Sequence, residues 1–279
     1  MRIHHLNCGT LCPFGGRFMD GQPGLLRAAH LVCHCLLIET EAGLVLVDTG
    51  LGRKDVEQPY PRLSRTFGAL LRPQRRMADT AYAQLRALGY ADTDVRHIII
   101  THLDFDHAGG IEDFPHAKVH VYAEELNAAT HARGWVAQRR YRPLQWNRAV
   151  QWKTYAAHGE PWYGFRCVRE LDGLPPEILM VPLVGHTLGH CGVAVRDERG
   201  QWLLLAGDAY FDRREIPRQA GAAPRCAPGL RLYQRMMDSD RTARFVNQQR
   251  LRELALNVDA RVRIMCSHDA VEFAQAAGA

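Results

Sequence analysis

The 279-residue sequence predicts a mixed α/β fold, and three observations lead there. Short apolar runs of strand character alternate with segments of helical spacing. Several of those runs end in a residue able to bind a metal ion. No stretch is polar or Gly/Pro-rich enough to serve as a linker, so residues 1–279 read as one domain.

The elements follow in order. Residues 31–39 and 44–48 are β-branched and apolar, and the turn at Glu41-Ala42-Gly43 joins them as a hairpin. Residues 53–76 read as an insert with Leu63, Phe67, Leu70 and Leu71 at helical spacing. In 78–88, Ala81, Leu85 and Leu88 share a helical face, with Gly89 as the stop. Strands are expected at 95–100 and 118–122, and a helix from Ala123. A second insert is expected at 131–166. Strands follow at 178–183, 191–196 and 202–206, then a basic-faced helix at 240–256 and a last strand at 261–266.

Composition excludes several classes. Hydrophobic residues make up 47% and charged residues 23%, as in ordinary soluble domains. No apolar run approaches the roughly 18 residues of a membrane span. The first residues lack the apolar stretch of a secretory signal, so a cytoplasmic location is expected. Net charge is +5, but residues 62–76 carry +5 and residues 133–166 carry +6, leaving −6 on the rest. Of the eight cysteines, the Cys33/Cys35 pair lies on one face of a strand, where thiols pack as small hydrophobes.

The chemistry concentrates in His102-Leu103-Asp104-Phe105-Asp106-His107, directly after the strand 95–100. Imidazole and carboxylate side chains at a strand's carboxyl end can converge on divalent ions. Other strands end in Asp48, His186, Asp208 and His268. Each alone would be an ordinary cap or turn residue. In this order, they form a ligand series.

On Asp48-Thr49-Gly50, the 102–107 block, Gly185-His186-Thr187-Leu188-Gly189-His190, Gly207-Asp208 and His268, the sequence resembles the metallo-β-lactamase superfamily. Within it, the branch containing N-acyl-homoserine lactonases is most similar. The resemblance implies a four-layer αββα sandwich with a dinuclear site on one edge. It also implies that His102, Asp104 and His186 hold one ion, Asp106, His107 and His268 the other, and that Asp208 bridges them. Asp48 would orient a ligand histidine. A water or hydroxide between the metals would attack a small lactone, ester or related acyl substrate. Asp106 would relay a proton to the leaving group.

Two positions depart from the pattern. Asp104 stands where histidine is usual, so three carboxylates face two divalent ions, a net +1 where the histidine version has +2. Such a site should suit oxygen-preferring metals better, which sets iron and manganese beside zinc, the first expectation. Glutamate occupies this place in flavodiiron proteins, and a di-iron redox enzyme with a separate electron donor is therefore one alternative. Phe211 stands where the lactonases have a substrate-contacting tyrosine, with Tyr210 one residue earlier. Tyr210 is the candidate replacement, and a metal-retaining ligand sensor without turnover is the second alternative.

Residues 133–166 hold four of the five tryptophans among arginines. They suit a pocket wall for an anionic, aryl or acyl small molecule, or a homodimer interface. No nucleic acid or membrane partner is expected.

Overall fold

Alternation within the strands decides the layering. The computed structural model describes residues 1–278. Its strands are β1 (Arg2–Leu11), β2 (Leu31–Thr40), β3 (Gly43–Val47), β4 (Pro73–Gln74), β5 (Val95–Ile99), β6 (Lys118–Tyr122), β7 (Gln151–Tyr155), β8 (Glu160–Trp162), β9 (Phe165–Glu170), β10 (Ile178–Pro182), β11 (Cys191–Arg196), β12 (Trp202–Leu205) and β13 (Val262–Met265). They form two sheets, ordered β4-β1-β2-β3-β5-β6-β7 and β13-β12-β11-β10-β9-β8.

Successive side chains on a strand point to opposite faces. Leu36, Ile38, Val45 and Val47 of the first sheet therefore meet Met180, Val193, Val195 and Leu205 of the second in a shared core. On the other face of the first sheet, Cys35, Leu37 and Leu46 pack with Ala81 and Leu85 of the helix Ala81–Ala87. On the far side of the second sheet, Ala194 and Leu204 pack with Leu251 and Leu254 of the helix Arg241–Leu256. The order helix, sheet, sheet, helix is the αββα sandwich. Among the described residues, no helix is long and apolar enough to cross a membrane.

Strand direction places the site. β3, β5, β6 and β7 run parallel, as do β12 and β13. β10 is antiparallel to β11, which is antiparallel to β12, so β10 also shares the β12 direction. The carboxyl ends of β3 and β5 in one sheet, and of β10, β12 and β13 in the other, thus collect on common edges. Those five ends carry every expected ligand.

The segment 131–166 departs from the expected insert. β7 adds to the first sheet beside β6, and β8 with β9 forms the outer hairpin of the second. Trp146 packs in the core under the first sheet, with Trp152 edge-on against it at 6.1 Å. Trp162 packs against Trp202 beyond the second sheet. Trp146 is buried, and Trp152 and Trp162 are partly buried against the two cores; Trp135 is exposed, edge-on to Phe67. In residues 53–76, Leu63, Phe67 and Leu71 are buried as expected, whereas Leu70 is exposed.

Candidate metal centre

Histidine tautomers in the site follow from what each ring donates to. Asp48 directly follows β3 with φ 56°, a left-handed conformation that aspartate tolerates better than most side-chain-bearing residues. Its carboxylate accepts the Thr101 backbone N–H at 2.8 Å, the Thr101 hydroxyl at 2.7 Å and His107 Nδ1–H at 2.8 Å. Because the Thr101 hydroxyl donates to Asp48, its oxygen accepts His102 Nδ1–H, 3.0 Å away. His268 Nδ1 donates to the Val32 carbonyl at 2.7 Å. Each of these three imidazoles therefore presents a bare Nε2 lone pair to the cluster. Asp48 orients two of them, one directly and one through Thr101.

Asp208 lies between the rings. Its Oδ1 is 3.3 Å from His107 Nε2 and 3.2 Å from His268 Nε2. Its Oδ2 is 3.7 Å from His102 Nε2 and 3.5 Å from His186 Nε2. Donor atoms bound at about 2.0–2.1 Å around a tetrahedral ion stand about 3.3 Å apart, so these spacings suit divalent ions. His102 Nε2, His107 Nε2 and Asp208 Oδ1 are buried without a protein hydrogen-bond partner. Buried polar atoms are nearly always paired, and three orphans aimed at one another fit a missing cation. Asp104 Oδ2 lies 3.5 Å from His102 Nε2 and 3.1 Å from His186 Nε2, while Asp106 Oδ2 lies 3.7 Å from His268 Nε2. The seven residues singled out in the sequence thus converge.

His190 does not join them. Its Nδ1 donates to the Leu183 carbonyl and its Nε2 accepts the Asp208 backbone N–H, both at 2.8 Å. It therefore sets the height of Asp208. Gly207 is required for this contact: its φ is 56°, and a Cβ there would meet His190 Nε2 at 2.6 Å.

Arg140 changes the arithmetic of Asp104. Its Nε and Nη2 clasp the two Asp104 oxygens at 2.6 and 2.7 Å, and the guanidinium is buried. Against the burial that opposes ionisation, this cation holds the Asp104 carboxyl well below the usual range. The added negative charge at 104 is offset, and two divalent ions held there would face the same net +2 as in the histidine version. The electrostatic ground for preferring oxygen-seeking metals therefore falls away. So does the idea of Arg140 as an attractor for anionic substrate, and Arg142 is committed to the carbonyls of Pro61 and Arg62.

Tyr210 is likewise corrected. Its hydroxyl donates to Glu272 Oε2 at 2.9 Å within the core beyond the second sheet. The aromatic at the site is Phe211, stacked on His268 with centroids 4.9 Å apart and 5.7 Å from His186. Beside it, edge-on at 6.0 Å, is Tyr233 of the helix Pro228–Met237. Burial raises the Tyr233 phenol, and the Asp106, Asp104 and Asp208 carboxylates raise it further.

Three more residues escaped the sequence reading. Cys33 brings its sulfur into a group with Asp106 and His268 whose ligand atoms all lie within 4.8 Å of one another. Its strand-like run concealed that, because alternation alone does not say what a face meets. Glu125 is buried and accepts the Leu103 and Gly189 backbone N–H groups at 2.8 and 3.2 Å, tying together two ligand loops. Arg140 was one arginine of a basic run. Nothing in the local sequence separates it from Arg139. A cleft of about 370 Å³ reaches the centre at His268 and Phe211; Leu31, Leu230 and Val271 give it apolar walls, and Arg27 and Arg213 line it as well.

Comparison with known proteins agrees with this geometry. The family model described as "Metallo-beta-lactamase superfamily" matches residues 29–251. A Mycobacterium tuberculosis protein named "Probable metallo-hydrolase Rv2300c" is 40% identical over 269 residues, covering 96% of this chain and 80% of its own. The N-acyl homoserine lactonase AiiA of Bacillus thuringiensis subsp. kurstaki is 28% identical over 196 residues, 70% of this chain and 69% of its own. A solved N-acyl homoserine lactone hydrolase with N-hexanoyl-L-homoserine at its catalytic metal centre superposes with a TM-score of 0.70 at 22% identity. That superposition covers 97% of this chain and 94% of the other, a likeness of fold. From a match across most of its length and a relative at 40% identity, the chain belongs to the metallo-β-lactamase superfamily.

Proposed function

We propose that this protein is a dinuclear metal-dependent hydrolase acting on a small lactone, ester or related acyl substrate. The observation that carries the reading is Asp208, which lies among four histidines in one buried cluster, Oδ1 beside His107 and His268 and Oδ2 beside His268, His186 and His102. His102, Asp104 and His186 would hold one ion, and Asp106, His107 and His268 the other. Zinc is the first expectation, because Arg140 offsets the third carboxylate and Cys33 adds a sulfur nearby. Divalent ions held there supply Lewis acidity for a carbonyl and make water nucleophilic near neutral pH.

The chain's own residues do the rest. Asp48, Thr101 and the Val32 carbonyl hold three imidazoles with Nε2 inward. The apolar side of the cleft beside His268 accommodates an acyl chain, and Phe211 closes the wall behind it. Tyr233, packed edge-on against Phe211, is the proposed donor of a phenolic hydrogen to the substrate carbonyl as negative charge develops. Asp106 is the carboxylate proposed to pass a proton to the leaving oxygen. The lactone, ester or acyl substrate class takes support from the lactonases among the relatives. Eight unpaired thiols suit a reducing compartment, and a cytoplasmic location is part of the proposal.

Protein purified without added metal is expected to contain close to two ions per chain by elemental analysis. It should lose hydrolysis of at least one member of a lactone, ester and thioester panel on chelation, and regain it on adding metal back. Metal-replete protein inert toward the whole panel would overturn the reading. Iron in place of zinc, with a redox response, would favour the di-iron alternative.

A further inference from the structure

The side chain of Arg140 enters the ligand cluster from a segment that supplies no metal ligand. It ends the short helix Ala137–Arg140, and its residue is 2% exposed. Nη1 donates to the carbonyls of His186 at 3.1 Å and Met237 at 2.7 Å. Nη2 donates to Asp104 Oδ2 and also lies 2.7 Å from His186 Nε2. That last contact is the unusual one. A neutral imidazole has one in-plane lone pair on its unprotonated nitrogen, and an N–H and a metal ion cannot share it. Asp104 is different, since a carboxylate keeps further lone pairs while clasped by a guanidinium.

The two halves of the centre are therefore unequal before any ion arrives. In the Asp106/His107/His268 half, the Nε2 of His107 is buried and free of protein partners. In the other half the Nε2 of His102 is likewise free, but that of His186 faces the Arg140 guanidinium.

We infer that Arg140 competes with the metal for His186, so that the two positions fill in order. The ion of the Asp106/His107/His268 half binds first. The ion of the His102/Asp104/His186 half binds only when the guanidinium is displaced from the imidazole. This rests on the dinuclear reading above and adds an order of filling to it. The displacement is local: the guanidinium is a rigid plane, so Nη2 leaves the imidazole when the whole fork pivots about its Nε bond to Asp104 Oδ1. Partial occupancy at low metal supply would then be a property of the protein.

The test is a zinc titration of chelator-stripped full-length protein against a chromogenic chelator, repeated with cobalt to follow its ligand-field absorption. The wild type should bind one ion at least about 100-fold more tightly than the second, the scale on which ligand-orienting contacts act. Arg140→Gln, which removes the cation and its fork, should bring the two affinities within about tenfold of each other. Arg140→Lys, which keeps the charge and loses the fork, should narrow the gap by less. Two wild-type ions of equal affinity, or a folded Arg140→Gln protein with the wild-type gap, would overturn the inference and leave the dinuclear reading intact. Absence of any tight ion in every form would defeat the dinuclear reading itself. If Arg140→Gln does not fold by circular dichroism, the wild-type and Arg140→Lys titrations decide: an equal pair, or an unchanged gap in Arg140→Lys, overturns it.

Discussion

Replacing Asp48 with asparagine tests whether hydrogen bonding behind the ligands sets their metal affinity. In the native protein, Asp48 Oδ2 accepts from both the Thr101 hydroxyl and His107 Nδ1, while Oδ1 accepts the Thr101 backbone N–H. All three partners are donors, and the carboxylate is buried. An asparagine must turn its NH2 toward one side. Facing Thr101 N–H, it sets donor against donor and leaves a buried amide unpaired. Facing His107, it drives that ring to the other tautomer and puts the proton on Nε2, where the ion should bind.

A hydrogen bond to a charged group contributes about 1.5–3 kcal/mol, and the outer partners of metal ligands typically contribute 10–100-fold in affinity. Asp48 supports two ligand rings at once, so the upper end applies. We expect Asp48→Asn to weaken the tighter zinc site about 100-fold, equivalent to about 2.7 kcal/mol. The assay is chelator competition on the stripped protein, with urea unfolding of the metal-free form as a control for global damage. Zinc affinity within threefold of wild type, in a variant as stable as wild type, would refute the reasoning.

Three further outcomes follow from the site and its surroundings. Tyr233→Phe should lower kcat/KM about 100-fold while leaving metal content at the wild-type value, because the phenol acts on substrate charge and not on the ion; an unchanged kcat/KM would remove it from the reaction. Tyr210→Phe should leave kcat/KM within threefold and cost about 1 kcal/mol of stability through the lost bond to Glu272; a large drop in turnover at full metal loading would restore Tyr210 to the site. Burial raises the Glu272 carboxyl from 4.5 to about 7, so the folded state holds its proton more tightly than the unfolded chain. Its contribution is complete below about pH 4.5 and is lost as pH rises toward 7, amounting to about 3 kcal/mol. The stability difference between Glu272→Gln and wild type should therefore shift by that amount across the window in urea melts, and a pH-independent difference would contradict it.

Much of the fold is legible because periodicity and burial are the same fact in a sandwich. The hairpin 31–48 shows it well: Leu36 and Ile38 point one way, Cys35 and Leu37 the other, and both faces are apolar because each sheet is covered twice. The ligand block 102–107 is legible for a related reason, since metal donors must follow a strand to reach the edge where others end. β1 was missed: its first half is half-exposed, with polar His4, His5 and Asn7, so it carries no buried-strand run. β7 to β9 were obscured by their aromatic and basic residues; β7 and β8 are edge strands, where one side of the strand is open, and β9 lies just inside β8.

What the sequence determined by itself is the candidate donor set: seven side chains in order, each after a strand or in the block beyond β5, and a scaffold able to gather them. Tertiary structure alone decided how those donors are tuned. Arg140 stands 36 positions from Asp104 and 46 from His186, and Glu125 stands 22 from Leu103 and 64 from Gly189. No local pattern encodes such pairs. Tyr210 and Phe211 show the same limit at the shortest range, for neighbours on a turn face opposite sides, and only packing shows which of them meets the ligand histidines.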